Sequence, residues 1–316
     1  MPGASPRVTG RAARLIAVDW GTTSTRAYRL DADGIVLDAR EAPLGVQQVR
    51  EGFAHAFASL LGNWMAEPVP RIACGMIGSR QGWIEAPYVE CPATEAALAN
   101  GLVRSPDGAL VIVPGLADCD DEGIPDVMRG EETQIVGAVA PDAAPTLAVL
   151  PGTHSKWAIV RGGTIETFVT FMTGEVYAVL RDHSILGRMA NAPAHPFAAA
   201  AFANGVRRAL AQRGSADSLL HRLFGARTLT LRADLAPQDT ADYLSGLLIG
   251  TEIAAGCAWA RAHGVAASSV LLLGSRSLCE RYDAALGVAG IAAKTGADDV
   301  AARGLWRIAK ASDLVS

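Results

Sequence analysis

The feature that most constrains this chain is a short pattern that occurs twice. Residues 15–30 read LIAVDWGTTSTRAYRL, and residues 147–161 read LAVLPGTHSKWAIVR. Each is an apolar run, a small polar turn and a second run of strand-forming residues, which predicts strand, tight turn, strand. Gly21-Thr22-Thr23-Ser24 aligns without a gap on Gly152-Thr153-His154-Ser155, and each copy then reaches another turn, Asp33-Gly34 or Gly162-Gly163. A related hairpin early in each half predicts two similar domains. The 316 residues are enough for two cores. With half of the residues hydrophobic and 19% charged, the composition is that of a globular protein.

Turns of this kind bring backbone N–H groups and hydroxyls close together, which suits a phosphate. On its own, Gly-Thr-Thr is also what an ordinary hairpin tip carries; the repeat favours the phosphate. The copies differ at one informative place, where Asp19 in the first corresponds to Leu150 in the second. A carboxylate beside a phosphate cradle suits a hydrated magnesium ion, so only the first half is expected to supply a metal-holding acid.

Further motifs lie between and after the repeats. Residues 71–76 read as a strand ending in the polar loop 77–83, which carries Arg80 and Trp83. An Arg there suits a carboxylate through its planar fork, or is simply solvated; Trp83 walls a pocket or fills core. Glu131 and Glu132 stand at a predicted helix start, where acids complement the helix dipole or serve as a general base. Thr173-Gly174-Glu175 heads a predicted helix over 174–186, where it touches substrate or caps the helix through Thr173, with Val176, Val179 and Leu180 packing inward. Residues 52–66 carry an apolar stripe of Phe53, Phe57, Leu60, Leu61 and Trp64, with His55 outside it. Helices are also expected over 196–213, 241–263, 278–286 and 298–309, the last packing back across the domains. Gly274-Ser275 joins a strand to a helix.

Several classes are disfavoured. A net charge of −4 argues against a broad nucleic-acid surface. Cys74, Cys91, Cys119, Cys257 and Cys279 have no CxxC spacing and read as buried free thiols in a reducing compartment, not zinc ligands. His183 and His195 lack partners for a metal or a nucleophilic triad. Residues 1–14 hold three arginines but no apolar signal core and are expected to be a disordered tail. No run is read as long enough to span a bilayer, so cytoplasmic residence is the expectation. Nothing in the sequence excludes a homo-oligomer.

At these residues the chain resembles the sugar kinase, actin and heat-shock chaperone superfamily. The pieces VDWGTTSTRAYRL, GMIGSRQGW, MRGEETQIVGA, LPGTHSKW and FMTGEVYAVL are similar to those of its 2-dehydro-3-deoxygalactonokinase family. The resemblance implies an α/β fold of two actin-like, ribonuclease H-like domains with mixed sheets flanked by helices and an active site in the cleft between them. The expected boundaries are 15–144 and 145–316. It implies ATP and magnesium as cofactors and phosphorylation of a small sugar acid, 2-dehydro-3-deoxy-D-galactonate, at its 6-hydroxyl in galactonate catabolism. Asp19 would hold magnesium; Gly21, Thr22 and Thr23 would bind the γ-phosphate. Gly152, Thr153, His154 and Ser155 would bind the β-phosphate or its neighbours, and Gly274 and Ser275 the adenosine. Arg80 and Trp83 would meet the sugar acid, with Lys156 neutralising phosphate or facing solvent. The base is left between Glu131 and Glu132. A kinase of another sugar or sugar acid, or an exopolyphosphatase-like phosphohydrolase, would use the same fold.

Overall fold

The computed structural model describes residues 11–189, 196–211 and 218–316. The strands, in chain order, are β1 (Leu15–Trp20), β2 (Thr25–Leu30), β3 (Val36–Ala42), β4 (Arg71–Gly75), β5 (Tyr88–Glu90), β6 (Val103–Arg104), β7 (Val111–Ile112), β8 (Gly115–Cys119), β9 (Pro125–Met128), β10 (Thr146–Leu150), β11 (Ser155–Arg161), β12 (Thr164–Phe171), β13 (Ser269–Leu272) and β14 (Ala292–Thr295). The helices are α1 (Phe53–Leu61), α2 (Glu95–Asn100), α3 (Glu131–Ala138), α4 (Thr173–His183), α5 (Ala199–Leu210), α6 (Leu219–Leu231), α7 (Thr240–Ala262), α8 (Arg276–Ala289) and α9 (Val300–Ala311).

The chain forms two compact units. The first comprises Met1–Pro145, Val160–Phe168 and Ala297–Ser316; the second comprises Thr146–Ile159 and Val169–Gly296. The expected single boundary at 145 is therefore corrected, because a strand segment and α9 belong to the first unit. The mixed α/β architecture expected from the sequence is present in each.

The first unit is built on a sheet ordered β3-β2-β1-β4-β7-β6. β1 pairs antiparallel with β2 and parallel with β4, so it lies in the middle of the sheet. A central strand is buried on both faces, and every residue of β1 except Asp19 is buried. Ile16, Val18 and Trp20 share a core with Phe57, Leu61 and Trp64, the apolar stripe expected over 52–66. Phe53 of that stripe packs edge-on against Trp20. On the C-terminal helix, Leu305, Ile308 and Ala309 are buried. α9 lies tight against α3: a Cβ on Gly304 would stand 1.9 Å from the Thr133 carbonyl oxygen, and one on Gly137 1.9 Å from that of Val300.

The second unit contains most of the sheet ordered β12-β11-β10-β13-β14. Leu147, Val149, Trp157 and Ile159 of its hairpin share a core with Phe202, Val206, Ile249 and Ile253. By length and composition α7 could cross a membrane, which corrects the reading that no run is long enough, but its side chains fill the core of this unit. Small residues let α5 approach it closely: a Cβ on Gly246 would stand 2.0 Å from the Phe202 carbonyl oxygen.

Four local expectations differ. Of the five thiols expected to be buried, Cys74 and Cys279 are, Cys91 and Cys257 are partly so, and Cys119 is exposed. Residues 11–14 are not tail: the Arg14 N–H bonds the Leu30 carbonyl, and Arg11 reaches Asp31 at 2.5 Å and Asp33 at 3.0 Å. Residues 1–10, with His195 and Arg213, lie outside the described residues. Val179 is exposed rather than packed inward; Val176 and Leu180 alone of the three pack against core. Thr173 is the first residue of α4 rather than its cap, and its hydroxyl serves Glu252.

Candidate active site

The first turn leaves Thr22, Thr23 and Ser24 exposed at the end of β1. The Gly21 N–H donates to the Ser24 carbonyl at 2.9 Å, closing the turn on itself. It is braced from behind, since the Val46 N–H donates to the Gly21 carbonyl at 3.1 Å. Gly45 must be small there, because a Cβ would stand 2.0 Å from the Thr22 carbonyl oxygen.

Asp19 sits one pleat before this turn and is partly buried. Its Oδ1 is 3.8 Å from the Cys74 sulfur on the parallel neighbour β4. Burial pushes its carboxyl up to about 6; Arg26 opposes that and the Glu131 charge adds to it. Arg26 itself bonds Glu41 at 3.3 Å, so the Asp19 carboxylate is not closed off by a cation. Among the described residues no cluster of three His, Cys, Asp or Glu could cage a metal. A partly exposed carboxylate beside a second acid and an exposed turn fits magnesium, which keeps its waters and binds through one or two carboxylates plus phosphates.

α3 brings the two candidate bases to this place. Its N-terminal flank is Gly130, at φ +107°, where a Cβ would stand 3.1 Å from the Gly75 Cα at the end of β4. Glu132 is fully buried; its carboxyl accepts from the Gly130 N–H at 2.7 Å and from the Thr133 hydroxyl at 2.9 Å. Burial, with the Glu131 charge second, pushes it up to about 8. Glu131 is only partly buried, and its carboxyl accepts from the Arg129 N–H at 2.9 Å. Burial also raises the Cys74 thiol, with Asp19 and Glu132 adding to the effect. Arg129 is 9% exposed; its Nη2 donates to the Ala86 carbonyl at 2.8 Å and its guanidinium lies 4.3 Å over the Tyr88 ring.

The second turn matches the first in exposing its two middle residues but buries its serine. Thr153 and His154 face solvent, and His154 Nε2 pairs with Glu175 at 2.5 Å. The Glu175 N–H donates to the Thr153 carbonyl at 3.0 Å, and Gly174 lets α4 come this close, since a Cβ there would stand 2.4 Å from the Gly152 carbonyl oxygen. Ser155 is fully buried beneath the turn. Its hydroxyl meets the Gly152 N–H at 3.4 Å and the Tyr282 hydroxyl at 2.9 Å. Tyr282 donates to Glu252 at 2.6 Å, and the Trp157 indole donates to the other Glu252 oxygen at 2.8 Å. Burial raises the Glu252 carboxyl, against the pull of these donors. Gly274, at φ +141°, and Ser275 are exposed beside the turn, with Pro151 the nearest residue to a Gly274 Cβ.

A family profile described as 2-keto-3-deoxy-galactonokinase matches residues 19–308. The chain belongs to this family. It is 40% identical over 305 residues to a Rhizobium meliloti protein named "Probable 2-dehydro-3-deoxygalactonokinase DgoK1", covering 93% of this chain and 96% of that one. It is 35% identical over 290 residues to the Escherichia coli 2-dehydro-3-deoxygalactonokinase, covering 92% and 94%. A crystal structure from Sinorhizobium meliloti assigned to the same enzyme class superposes with a TM-score of 0.83 at 39% identity, covering 94% of this chain and 98% of that one.

In this member of the galactonokinase family the first unit gathers Asp19, Gly21, Thr22, Thr23, Glu131 and Glu132 around the ends of β1 and β4. The second gathers Gly152, Thr153, His154, Ser155, Gly274 and Ser275 around the ends of β10 and β13. The two residues expected to meet the sugar acid lie in the turn after β4. Arg80 is 88% exposed and 3.7 Å from Glu85. Trp83, partly buried, stacks on Phe53 and tilts against Phe57, packing against the edge of the core. Lys156 is buried rather than facing solvent. The sequence reading missed Cys74, Arg129, Glu252 and Tyr282. An acid in the apolar middle of α7, well past Asp242 in its first turn, is the signal that could have found Glu252.

Proposed function

We propose that this chain transfers the γ-phosphoryl group of ATP to the 6-hydroxyl of 2-dehydro-3-deoxy-D-galactonate, as a cytoplasmic sugar-acid kinase. The observation that carries this reading is the family match over residues 19–308, with curated relatives bearing that activity as their name. Phosphoryl transfer asks little covalent chemistry of a protein: it needs positioning, neutralised charge and a proton acceptor. The exposed donors of the two turns suit the positioning. Thr22 and Thr23 would hold the γ-phosphate, and Gly152, Thr153 and His154 the phosphates before it. Ser155, being buried, shapes the second turn from beneath. Gly274 and Ser275 leave room for the adenosine.

Glu131 is the base in this reading. It is partly exposed beside Asp19, whereas Glu132 is sealed and already bonded to Gly130 and Thr133. The sugar's 6-oxygen attacks the γ-phosphorus, the bond to the β–γ bridging oxygen breaks, and ADP leaves with that electron pair. The hydroxyl proton passes to the Glu131 carboxylate. Asp19 would hold magnesium through water, and the ion would offset charge on the phosphates. The test is a panel of sugar acids and neutral sugars in a coupled assay of ATP consumption, with phosphate release scored separately. Turnover that requires 2-dehydro-3-deoxy-D-galactonate and yields ADP with its 6-phosphate supports the reading. Phosphate release that is indifferent to sugar overturns it.

A further inference from the structure

Arg129 is a buried guanidinium with most of its hydrogen-bonding capacity unused. An Arg side chain has five N–H donors and cannot shed its charge within a protein. Here Nη2 is bonded to the Ala86 carbonyl, while Nε and Nη1 have no partner. Those two nitrogens carry three of the five donors. The side chain is 9% exposed, so bulk water does not replace the missing acceptors. Tyr88 stacks on one face of the fork and fixes its plane. A desolvated, unpaired cation is among the costlier things a fold can keep, and an anion in the plane of the fork removes that cost.

Its location is beside the candidate base. The backbone N–H of the same residue holds the Glu131 carboxyl at 2.9 Å, so the guanidinium and the candidate base leave the chain two residues apart. The unused Nη1 lies beneath Gly78, in the turn that follows β4, where a Cβ would stand 3.1 Å from it. That turn is tied down by backbone bonds, the Gly82 N–H to the Ser79 carbonyl at 2.8 Å and the Ala86 N–H to the Gly78 carbonyl at 2.8 Å. Arg80, in the same turn, points away to solvent and Glu85.

Resting on the sugar-acid kinase reading, we infer that Arg129, not Arg80, binds the carboxylate of the acceptor through its unused Nε and Nη1. The two parallel N–H bonds of a fork-to-carboxylate pair then set both the acid requirement and the direction of the sugar, leaving its far hydroxyl for Glu131. An incoming anion has two sources, the acceptor's carboxylate and the phosphates of ATP, and kinetics separates them.

The experiment compares wild type, Arg129→Gln, Arg129→Lys and Arg80→Gln. Each is assayed with the sugar acid and with its neutral C1 amide, with acceptor and ATP varied in turn, and each is checked by thermal melting. The expected result for Arg129→Gln is a KM for the acid raised by ~30–100-fold, the loss of one charge-assisted pair. The wild-type preference for acid over amide should collapse with it, and KM for ATP should hold. Arg129→Lys should recover part of the preference, as a charge without the fork; should the Gln variant not fold, the acid-to-amide ratio of the Lys variant is the deciding number. An unchanged ratio in folded Arg129 variants overturns the inference, as does a ratio lost in Arg80→Gln instead, or an equal rise in KM for ATP. If the wild type ignores this acid but phosphorylates another carboxylated sugar, the proposed substrate falls and the ratio is read on that sugar. A wild type active only on neutral sugars overturns the role of Arg129 itself.

Discussion

Glu131 and Glu132 are consecutive at the head of α3, yet the fold gives them opposite surroundings. Glu132 is sealed and bonded on both oxygens, while Glu131 keeps access to solvent. Replacing Glu131 by Gln should lower kcat by about 100-fold or more, the usual worth of a positioned base, with melting temperature close to wild type. A kcat within threefold of wild type, measured at saturating ATP and sugar, would remove Glu131 from the chemistry. Glu132 predicts a different signature. Its carboxyl moves from an ordinary 4.5 to about 8 on folding, so the folded state binds the proton more tightly. Stability from this group is therefore fully present below pH 4.5 and declines as pH rises toward 8, at about 1.4 kcal/mol per unit of displacement. The Glu132→Gln variant cannot ionise, and its melting temperature should fall less than that of wild type between pH 5 and 9. Parallel curves would disprove the assignment. The sequence made both acids visible but could not rank them, because burial at a helix start depends on which strand end the helix meets. Here it meets β4 at Gly75, and no local pattern encodes that.

At the scale of elements, the twin hairpins were legible because strand alternation and turn chemistry are local. Both turns lie where the glycines and threonines place them, and β1 and β10 each head a sheet's central pairing. What braces the second turn was not legible. Ser155 meets Tyr282 across 127 residues of sequence, and Trp157 meets Glu252 across 95. These ties join β11 to α7 and α8 through a buried carboxylate, and such a network is stiff only while every member is satisfied. Tyr282→Phe removes one hydroxyl and takes one of several hydrogen bonds from both Glu252 and Ser155. The expected cost is ~1–3 kcal/mol of stability. Because the affected hydroxyl sits beneath Gly152, KM for ATP should rise more than KM for the sugar acid. Nucleotide binding measured by calorimetry checks this; an ATP affinity equal to wild type in a destabilised protein would show that the network holds the core and not the turn.

For the whole molecule, a boundary at residue 145 is the natural reading of a repeat, yet the first unit is closed by the far end of the chain. α9 completes it, and α3 rather than α9 carries the candidate base. The two helices approach so closely that Gly304 has no room for a methyl group, its Cβ position lying 1.9 Å from the Thr133 carbonyl oxygen. Thr133 follows Glu132 directly, so any widening of this contact moves the acids relative to Asp19 on β1. Gly304→Ala should therefore destabilise by roughly 1–3 kcal/mol through overpacking and lower kcat as well. A control lies in the same fold: Gly225, in α6, and Gly287, in α8, have nothing within 4 Å of a Cβ. Alanine at either should leave kcat unchanged and stabilise by about 0.4–1 kcal/mol, since it narrows the unfolded ensemble and meets no obstacle. Melting curves and kcat for the three variants separate the effects of helix propensity from those of contact. If Gly304→Ala behaves like the controls, the last twenty residues are a covering for the first unit, not part of what holds its acids in place.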